Sequence, residues 1–311
     1  MNQGRLVHSL PAQIRAMQIS STSVFAFVEG KFSDPFVYGI ICDESFTGLG
    51  LLYEVLPVDT LPGQAGGKKQ LLSFFRYLKR KNALESELGG KKTLAIFFLD
   101  KDIDDIKRTR LRSPHVKYTR YYDVENHVAF GADVAAAVAI GCELDPGFCR
   151  RKFGAPGDWQ RKITSLWLEW VTLCVLCVSY SIICGSNFGR LSPINFPLHG
   201  PIDASNHVTV ISQTAASSGL APLDFDALYT KIARKIRRYY SRGAADYVFK
   251  GKWYAEILAS EVAQIAPYPI DSKALVSRLA TGLRSQMDLS QPWVLDVVIQ
   301  LRDFSAKCFT A

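Results

Sequence analysis

Apolar and polar positions follow two regimes along this chain. Residues 24–28 (VFAFV) form an unbroken apolar run that ends in Glu29-Gly30, and residues 94–99 (LAIFFL) form another that ends in Asp100-Lys101-Asp102. Apolar runs without alternation predict strands covered on both faces. Ser33-Asp34-Pro35 follows the first run and supplies a helix start, an N-cap candidate with Pro at the first helical position. Residues 53–58 predict a second strand and 63–67 a glycine-rich loop, after which 68–81 (KKQLLSFFRYLKRK) carries apolar residues at helical spacing. A third strand is expected over 93–99. A fourth, alternating with period two, is expected over 116–122 and leads into Asp123-Val124-Glu125-Asn126.

Strands separated by helices imply crossover units and a mainly parallel sheet, whose ligands bind outside the carboxyl ends of its strands. Glu29, Asp100 and Glu125 are expected at such ends. Beyond residue 130 the pattern turns helical, with an Ala-rich stretch at 133–140, a long apolar stretch at 159–184 and helix-like segments at 225–242 and 253–265. Residues 185–222, rich in Ser, Gly, Pro and Asn, read as a long connection or a small irregular insert. The expected organisation is an α/β catalytic domain over 20–130 and a mostly helical domain over 131–311, serving partner binding, dimerisation or a substrate track.

Composition sharpens this picture in three places. A hydrophobic content of 48% over 311 residues supports a substantial core, and a net charge of +8 favours a polyanionic partner without separating nucleic acid from a membrane surface. Seven cysteines, an odd number, fit a reducing compartment without a disulfide framework. Cys174 and Cys177 lack the second pair that a zinc site needs, so core packing is the preferred reading. The opening residues Met1 to Arg5 lack a secretory pattern, and the apolar stretch at 166–184 is interrupted by Glu169. A cytoplasmic protein with no membrane segment is expected.

Two or three carboxylates gathered at strand ends repel one another unless a cation sits among them. Oxygen ligands suit a hard ion such as Mg²⁺ or Mn²⁺, which can orient a phosphodiester and lower the pKa of an attacking water. Glu29, Asp100 and Asp102 are the catalytic and metal-holding candidates. Asp104 is a further ligand candidate because alternate positions of an extended segment share a side, whereas Asp105 points away. Glu125 is a candidate for a second metal position, and Asp34 either caps its helix or approaches the same ion. Solvated strand ends and turn residues are the plainer reading of these acids. Basic stretches supply a candidate nucleic-acid track: Lys107, Arg108 and Arg110 follow the acidic cluster, and Lys231, Arg234, Lys235, Arg237 and Arg238 crowd a segment that also carries Tyr239 and Tyr240. A solvated helix face is the alternative. Gly66-Gly67-Lys68-Lys69 is not a Walker-type loop, yet presents backbone N–H groups with Lys68 and Lys69 at a helix start. His115 and His127 are expected to bond locally.

The segments FVEGKFSDPFVYG, GGKKQLLSFFRYLKR, LAIFFLDKDIDDI and YTRYYDVENHV together resemble the TOPRIM domains of the overcoming-lysogenization-defect type, most closely the AriB-type effectors of the PARIS anti-phage systems. The resemblance covers about residues 20–130, and FKGKWYAEIL at 249–258 is similar to a further signature of that family. It implies a TOPRIM-like Rossmannoid sheet with flanking helices, with Glu29, Asp100 and Asp102 in the places of the family's Glu and Asp-x-Asp. It also implies a Mg²⁺-dependent nuclease acting on nucleic acid such as tRNA, a toxic effector controlled by an ABC-type ATPase and a homodimer when active. Two alternatives stand beside it. One is a haloacid-dehalogenase-like phosphotransferase, which places its Asp-x-Asp on the first strand instead. The other is a regulatory or binding module without turnover.

Overall fold

The computed structural model describes residues 9–61, 66–267, 270 and 272–310. Residues 63–65 of the expected glycine-rich loop and the opening residues Met1 to Arg5 lie outside the described residues. Five strands form one sheet: β1 (Val24–Val28), β2 (Tyr53–Pro57), β3 (Glu85–Leu88), β4 (Lys91–Leu99) and β5 (Val116–Tyr118). β1 lies parallel between β2 and β4, with Val24 opposite Leu94 and Phe27 opposite Phe97. Because β1 takes one edge of β4, the other edge is shared: β3 pairs antiparallel with residues 91–94 and β5 parallel with residues 97–99.

The uninterrupted apolar runs are explained by what covers them. Phe25, Phe27, Ala95, Phe97 and Leu99 pack with Leu71, Phe74, Phe75 and Leu78 of the Gly67–Arg80 helix. Phe27 stacks on Phe97 at 5.1 Å, and Phe74 meets Phe27 edge-on at 5.1 Å. Residues of opposite parity face the other way, where Phe98 stacks on Tyr38 of the Ser33–Phe46 helix at 4.1 Å and Trp293 closes on Tyr38 at 6.3 Å. Aromatic pairs in these arrangements add about 0.5–1.5 kcal/mol each beyond their burial.

Three local readings need correction. β3 was not expected, because ESEL has one apolar residue, Leu88, and no alternating apolar face; it is an edge strand joined to β4 by Gly89-Gly90, both at positive φ as a two-residue hairpin turn demands. The fourth strand stops at Tyr118, not Tyr122. There the Thr119 hydroxyl accepts from the Lys101 N–H (2.8 Å) and the Arg120 carbonyl accepts from the Lys101 ammonium (2.7 Å), which draws the backbone off the ladder. The helix expected from Ser33 begins at that residue, with Asp34 in its first turn and Pro35 one place deeper than expected.

The chain forms two compact units. The first draws on Met1–Lys101, Arg110–Arg120 and Leu289–Ala311, the second on Asp102–Thr109 and Tyr121–Asp288. The sequence reading placed a single boundary at 130/131, whereas the chain changes unit four times. The helix Pro292–Thr310 belongs to the first unit, where the Trp293 indole N–H donates to the Tyr118 carbonyl (3.2 Å) and Arg302 bonds the Glu44 carbonyl at 3.0 Å.

The second unit is helical. Val134–Cys142 crosses Ser272–Ser285 closely enough that a Cβ on Gly282 would fall 2.4 Å from the Ala137 carbonyl oxygen. Pro222–Ser241 packs on Leu168–Tyr180, and Trp167 and Trp253 meet at 5.1 Å. The long apolar stretch is a bent pair of helices, Asp158–Leu166 and Leu168–Tyr180, turned by 60°. Among the described residues no single helix is long and apolar enough to cross a membrane. Residues 185–222 are not wholly irregular: they contain the helix Ala204–Ser218, whose N-cap Asp203 accepts from the Ser205 and Asn206 N–H groups. Its Ser and Thr hydroxyls donate back to carbonyls four residues earlier, for example Thr209 to Ser205 at 2.9 Å, so the polar composition that suggested a loop is consumed inside a helix.

Candidate functional site

In the first unit, the parallel register of β1 and β4 brings two acids together. Both strands end at the same level, and the Glu29 carboxylate accepts a hydrogen bond from the Asp100 N–H at 2.9 Å. Asp100 is buried and Glu29 half-buried. Asp34 is buried too, and its carboxylate accepts from the Gly30 N–H at 2.8 Å, which clips the turn between β1 and the following helix. Any Cβ at residue 30 would fall 2.5 Å from an Asp34 oxygen, so glycine is required where the backbone meets that carboxylate. Asp34 thus does turn-fixing work beside Glu29.

Cations stand beside these acids. Lys68, in the first turn of the Gly67–Arg80 helix, donates to the Asp100 carbonyl and lies 5.7 Å from the Tyr118 ring centre. Arg110 lies 5.3 Å from the same ring centre, and the Tyr118 hydroxyl accepts from the Leu111 N–H at 3.0 Å. Gln70 anchors the loop before this helix, accepting from the Gly66 N–H (2.8 Å) and donating to the Leu61 carbonyl (2.9 Å). Lys101 is almost fully buried and engaged as described above; its neighbours in the sequence gave no sign of that burial.

The second unit holds a separate acidic group. Asp123 is the N-cap of the Val124–Ala129 helix in a reciprocal capping box: its Oδ1 accepts from the Asn126 N–H at 3.1 Å while Asn126 Oδ1 accepts from the Asp123 N–H at 3.1 Å. The Gly251 N–H donates to the same Oδ1 at 3.1 Å. A Cβ on Gly251 would fall 2.3 Å from the Asn126 nitrogen and 2.4 Å from Asp123 Oδ1. FKGKWYAEIL therefore packs directly on the DVEN turn, and its glycine is fixed by that approach. Asn126 also donates to Asp246 Oδ1 (3.2 Å), which accepts from the Tyr254 hydroxyl at 2.7 Å.

Burial pushes the Asp123 carboxyl well above the usual carboxylate range, and the nearby Glu125 charge raises it further; Lys252 and the Asn126 N–H pull it down, and Asp102 adds a smaller upward push. Asp123 Oδ2 is buried with no hydrogen-bond partner. Glu125 occupies the first helical turn rather than a strand end, because β5 stops early and the capping box starts a helix at Val124. Asp102 adopts a left-handed backbone (φ 50°), uncommon for a non-glycine residue, and its N–H donates to the Tyr122 carbonyl at 2.7 Å. Asp104 does not lie on an extended segment. It opens the short helix Asp104–Lys107 and accepts from the Thr109 hydroxyl at 2.9 Å, so the alternation argument does not apply to it.

The candidate basic residues are exposed apart from Lys68, which is half-buried: Lys69, Lys107, Arg108, Arg110, Lys231, Arg234, Lys235, Arg237 and Arg238 all face solvent. Arg237 also pairs with Glu169 at 3.3 Å. His115 meets the Ala95 carbonyl (2.9 Å) and Glu85 (3.1 Å), and His127 stacks on Tyr121 at 4.6 Å; both are buried. All seven cysteines are free thiols, with burial raising the pKa of Cys174 and Cys177.

Among the described residues, no three His, Cys, Asp or Glu side chains gather tightly enough to hold an ion unaided. The Glu29–Asp100 pair nonetheless fits Mg²⁺ by donor chemistry, since that ion is commonly held by one or two carboxylates and completes its shell with water and substrate phosphate oxygens. Asp123, Lys101, Lys252 and Asp246 were missed by sequence reasoning. Only Asp123 had a visible signal, an Asp three residues before Asn in a capping-box spacing. No protein-family model matches the chain, and no curated protein matches it at a significant level.

Proposed function

We propose that this chain is a divalent-metal-dependent TOPRIM-type nuclease that cleaves nucleic acid, with RNA such as tRNA favoured, and that it acts in the cytoplasm as the toxic effector of an anti-phage system. The observation that carries the reading is the meeting of the Glu29 carboxylate with the Asp100 backbone at the paired ends of two parallel strands. This is where α/β sheets bind ligands, and it sets Glu and the first Asp of Asp-x-Asp side by side. Lys68 beside them gives a cation for a phosphate oxygen.

In the first unit Glu29 and Asp100 would hold the ion, with Asp34 a further acidic candidate there; Asp102, Asp104 and Glu125 stay candidates on the family motif alone. A bound Mg²⁺ or Mn²⁺ supplies charge neutralisation at the scissile phosphate and a more acidic attacking water. The Asp100 N–H orients the Glu29 carboxylate through a charge-assisted hydrogen bond. The exposed cations track the phosphate backbone and give binding that weakens with salt. No Walker-type loop occurs in the chain, so control by nucleotide hydrolysis falls to an ABC-type ATPase partner, and the active form is a homodimer.

The alternative to turnover is a binding module that holds nucleic acid without cleaving it. Incubation of purified protein with labelled tRNA, mRNA and DNA, with Mg²⁺ or with EDTA and with the ATPase partner supplied, separates the two. Mg²⁺-dependent cleavage that EDTA stops is expected. Retained binding with no cleavage of any substrate would establish the module.

A further inference from the structure

The Leu168–Tyr180 helix ends by folding back on itself. Ser181 takes a left-handed backbone (φ 55°), and the Ser181 and Ile182 N–H groups both donate to the Cys177 carbonyl, the second at 2.9 Å. The reversal leaves Ile183 exposed at its tip and returns Cys184 to the helix the chain has just left. There Cys184 Sγ lies 3.2 Å from Cys177 Sγ, both as free thiols. Sequence spacing pairs Cys177 with Cys174; the turn at Ser181 pairs it with Cys184 instead.

The two thiols differ in access. Cys177 is buried, whereas Cys184 is partly exposed. The Ser186 N–H donates to Cys184 Sγ at 3.4 Å, and the Thr214 hydroxyl oxygen lies 3.9 Å from that sulfur, so the side chain is held toward its neighbour. Burial pushes the Cys177 thiol pKa well up, and the hydrogen bond with Cys184 adds to the rise. An oxidant arriving from solvent therefore meets Cys184 first, with a second thiol in contact behind it. An accessible cysteine beside a resolving one is the arrangement of redox-responsive pairs. A disulfide spans about 2.0 Å, so a shared approach of about 1.2 Å closes the gap.

We infer that Cys177 and Cys184 are an oxidisable dithiol, a modification site at which hydrogen peroxide closes a reversible disulfide. The Cys184 sulfur attacks one peroxide oxygen, the O–O bond breaks, and the hydroxide released leaves as water with the thiol proton. The Cys177 sulfur then attacks the sulfur of the Cys184 sulfenic acid, the S–O bond breaks, and a second water leaves with the Cys177 proton. The two thiols give up two electrons in all, and one peroxide becomes two waters. The bond ties the end of the helix to the segment that runs on to Phe188, whose ring stacks on Trp253 at 5.7 Å and whose carbonyl accepts from Lys250 at 2.7 Å. It lies wholly in the second unit and needs no part of the nuclease reading.

The test uses the full chain, reduced, freed of reductant and treated with hydrogen peroxide under native conditions. The reaction is quenched in acid, remaining thiols are alkylated in urea, and the digest is read by mass spectrometry. The expected result is an intact mass lower by two hydrogen atoms, one peptide pair joined through Cys177 and Cys184, and full reversal by dithiothreitol. Cys177→Ser should stop the cross-link and leave a Cys184 sulfenic acid that dimedone labels, and Cys184→Ser should leave Cys177 reduced. Should either variant misfold, differential alkylation of the unaltered chain decides alone: both thiols should disappear together. Both thiols still alkylated after peroxide would overturn the inference. So would a cross-link that forms only when peroxide is added in urea, one that joins Cys184 to Cys174, or a Cys184 sulfinic acid beside a reduced Cys177.

Discussion

The acids of the two units are held in opposite ways. In the first, Glu29 stands half-exposed at the end of a strand, oriented by one backbone N–H and flanked by the Lys68 cation. In the second, Asp123 is buried, accepts from two backbone N–H groups and is pressed by a glycine that nothing larger can replace. Glu29 is held where its carboxylate can still meet a ligand. The environment of Asp123 penalises the charge and uses the side chain as a structural fastener, the usual fate of a buried polar group that finds partners. An acid in a suggestive motif is therefore read by its surroundings, and here the DVEN run divides into a capping pair, Asp123 and Asn126, and a neighbouring carboxylate at Glu125.

This contrast can be broken by substitution, and the largest effect belongs to the first unit. Glu29→Gln or Asp100→Asn should lower Mg²⁺-dependent cleavage by about a hundredfold or more, since ligands matter at least as much as their supporting groups. The folded state should persist, checked by circular dichroism and thermal unfolding. Unfolding of either variant would move these acids into the structural class now occupied by Asp123.

The second unit should respond the other way. Gly251→Ala forces a methyl group into the Asp123–Asn126 turn and should cost about 2–4 kcal/mol, an overpacking penalty at the upper end of the usual range. Calorimetry should register a fall in melting temperature of roughly 5–15 °C. A variant that melts like the wild type would mean that the turn yields easily and that the fastening account of Asp123 is wrong.

The smallest effect should come from the exposed cations. Replacing Lys235 with Ala should leave stability within about 0.5 kcal/mol, as surface changes usually do, and reduce the salt slope of nucleic-acid binding by about 0.9. Lys69→Ala provides the matching measurement in the first unit. A slope that does not change in either variant would make these side chains a solvated surface and nothing more.

Much of the first unit was legible in advance. β1 begins and ends where the hydrophobic pattern places it, as does the Trp253–Ile265 helix of the second unit, and the run that became β4 was recognised from its apolar half. The failures share a cause. ESEL was invisible as a strand because an edge strand needs no apolar face, and the helix at Ala204–Ser218 was hidden because its hydroxyls bond to their own turn. The C-terminal helix carried no mark of the unit it joins, since its partners, Tyr118 and Glu44, lie far away in the chain.

The amino-acid sequence by itself determined which segments would be buried strands and amphipathic helices, because burial on two faces or one leaves a periodic trace in local composition. It also determined that acids stand immediately after the two longest apolar strands. Only the tertiary structure decided which of those acids meet. Register between β1 and β4 sets Glu29 against Asp100, and the approach of Gly251 converts Asp123 into a buried cap. Such outcomes depend on contacts between residues 71 and 128 positions apart, and no local pattern encodes them.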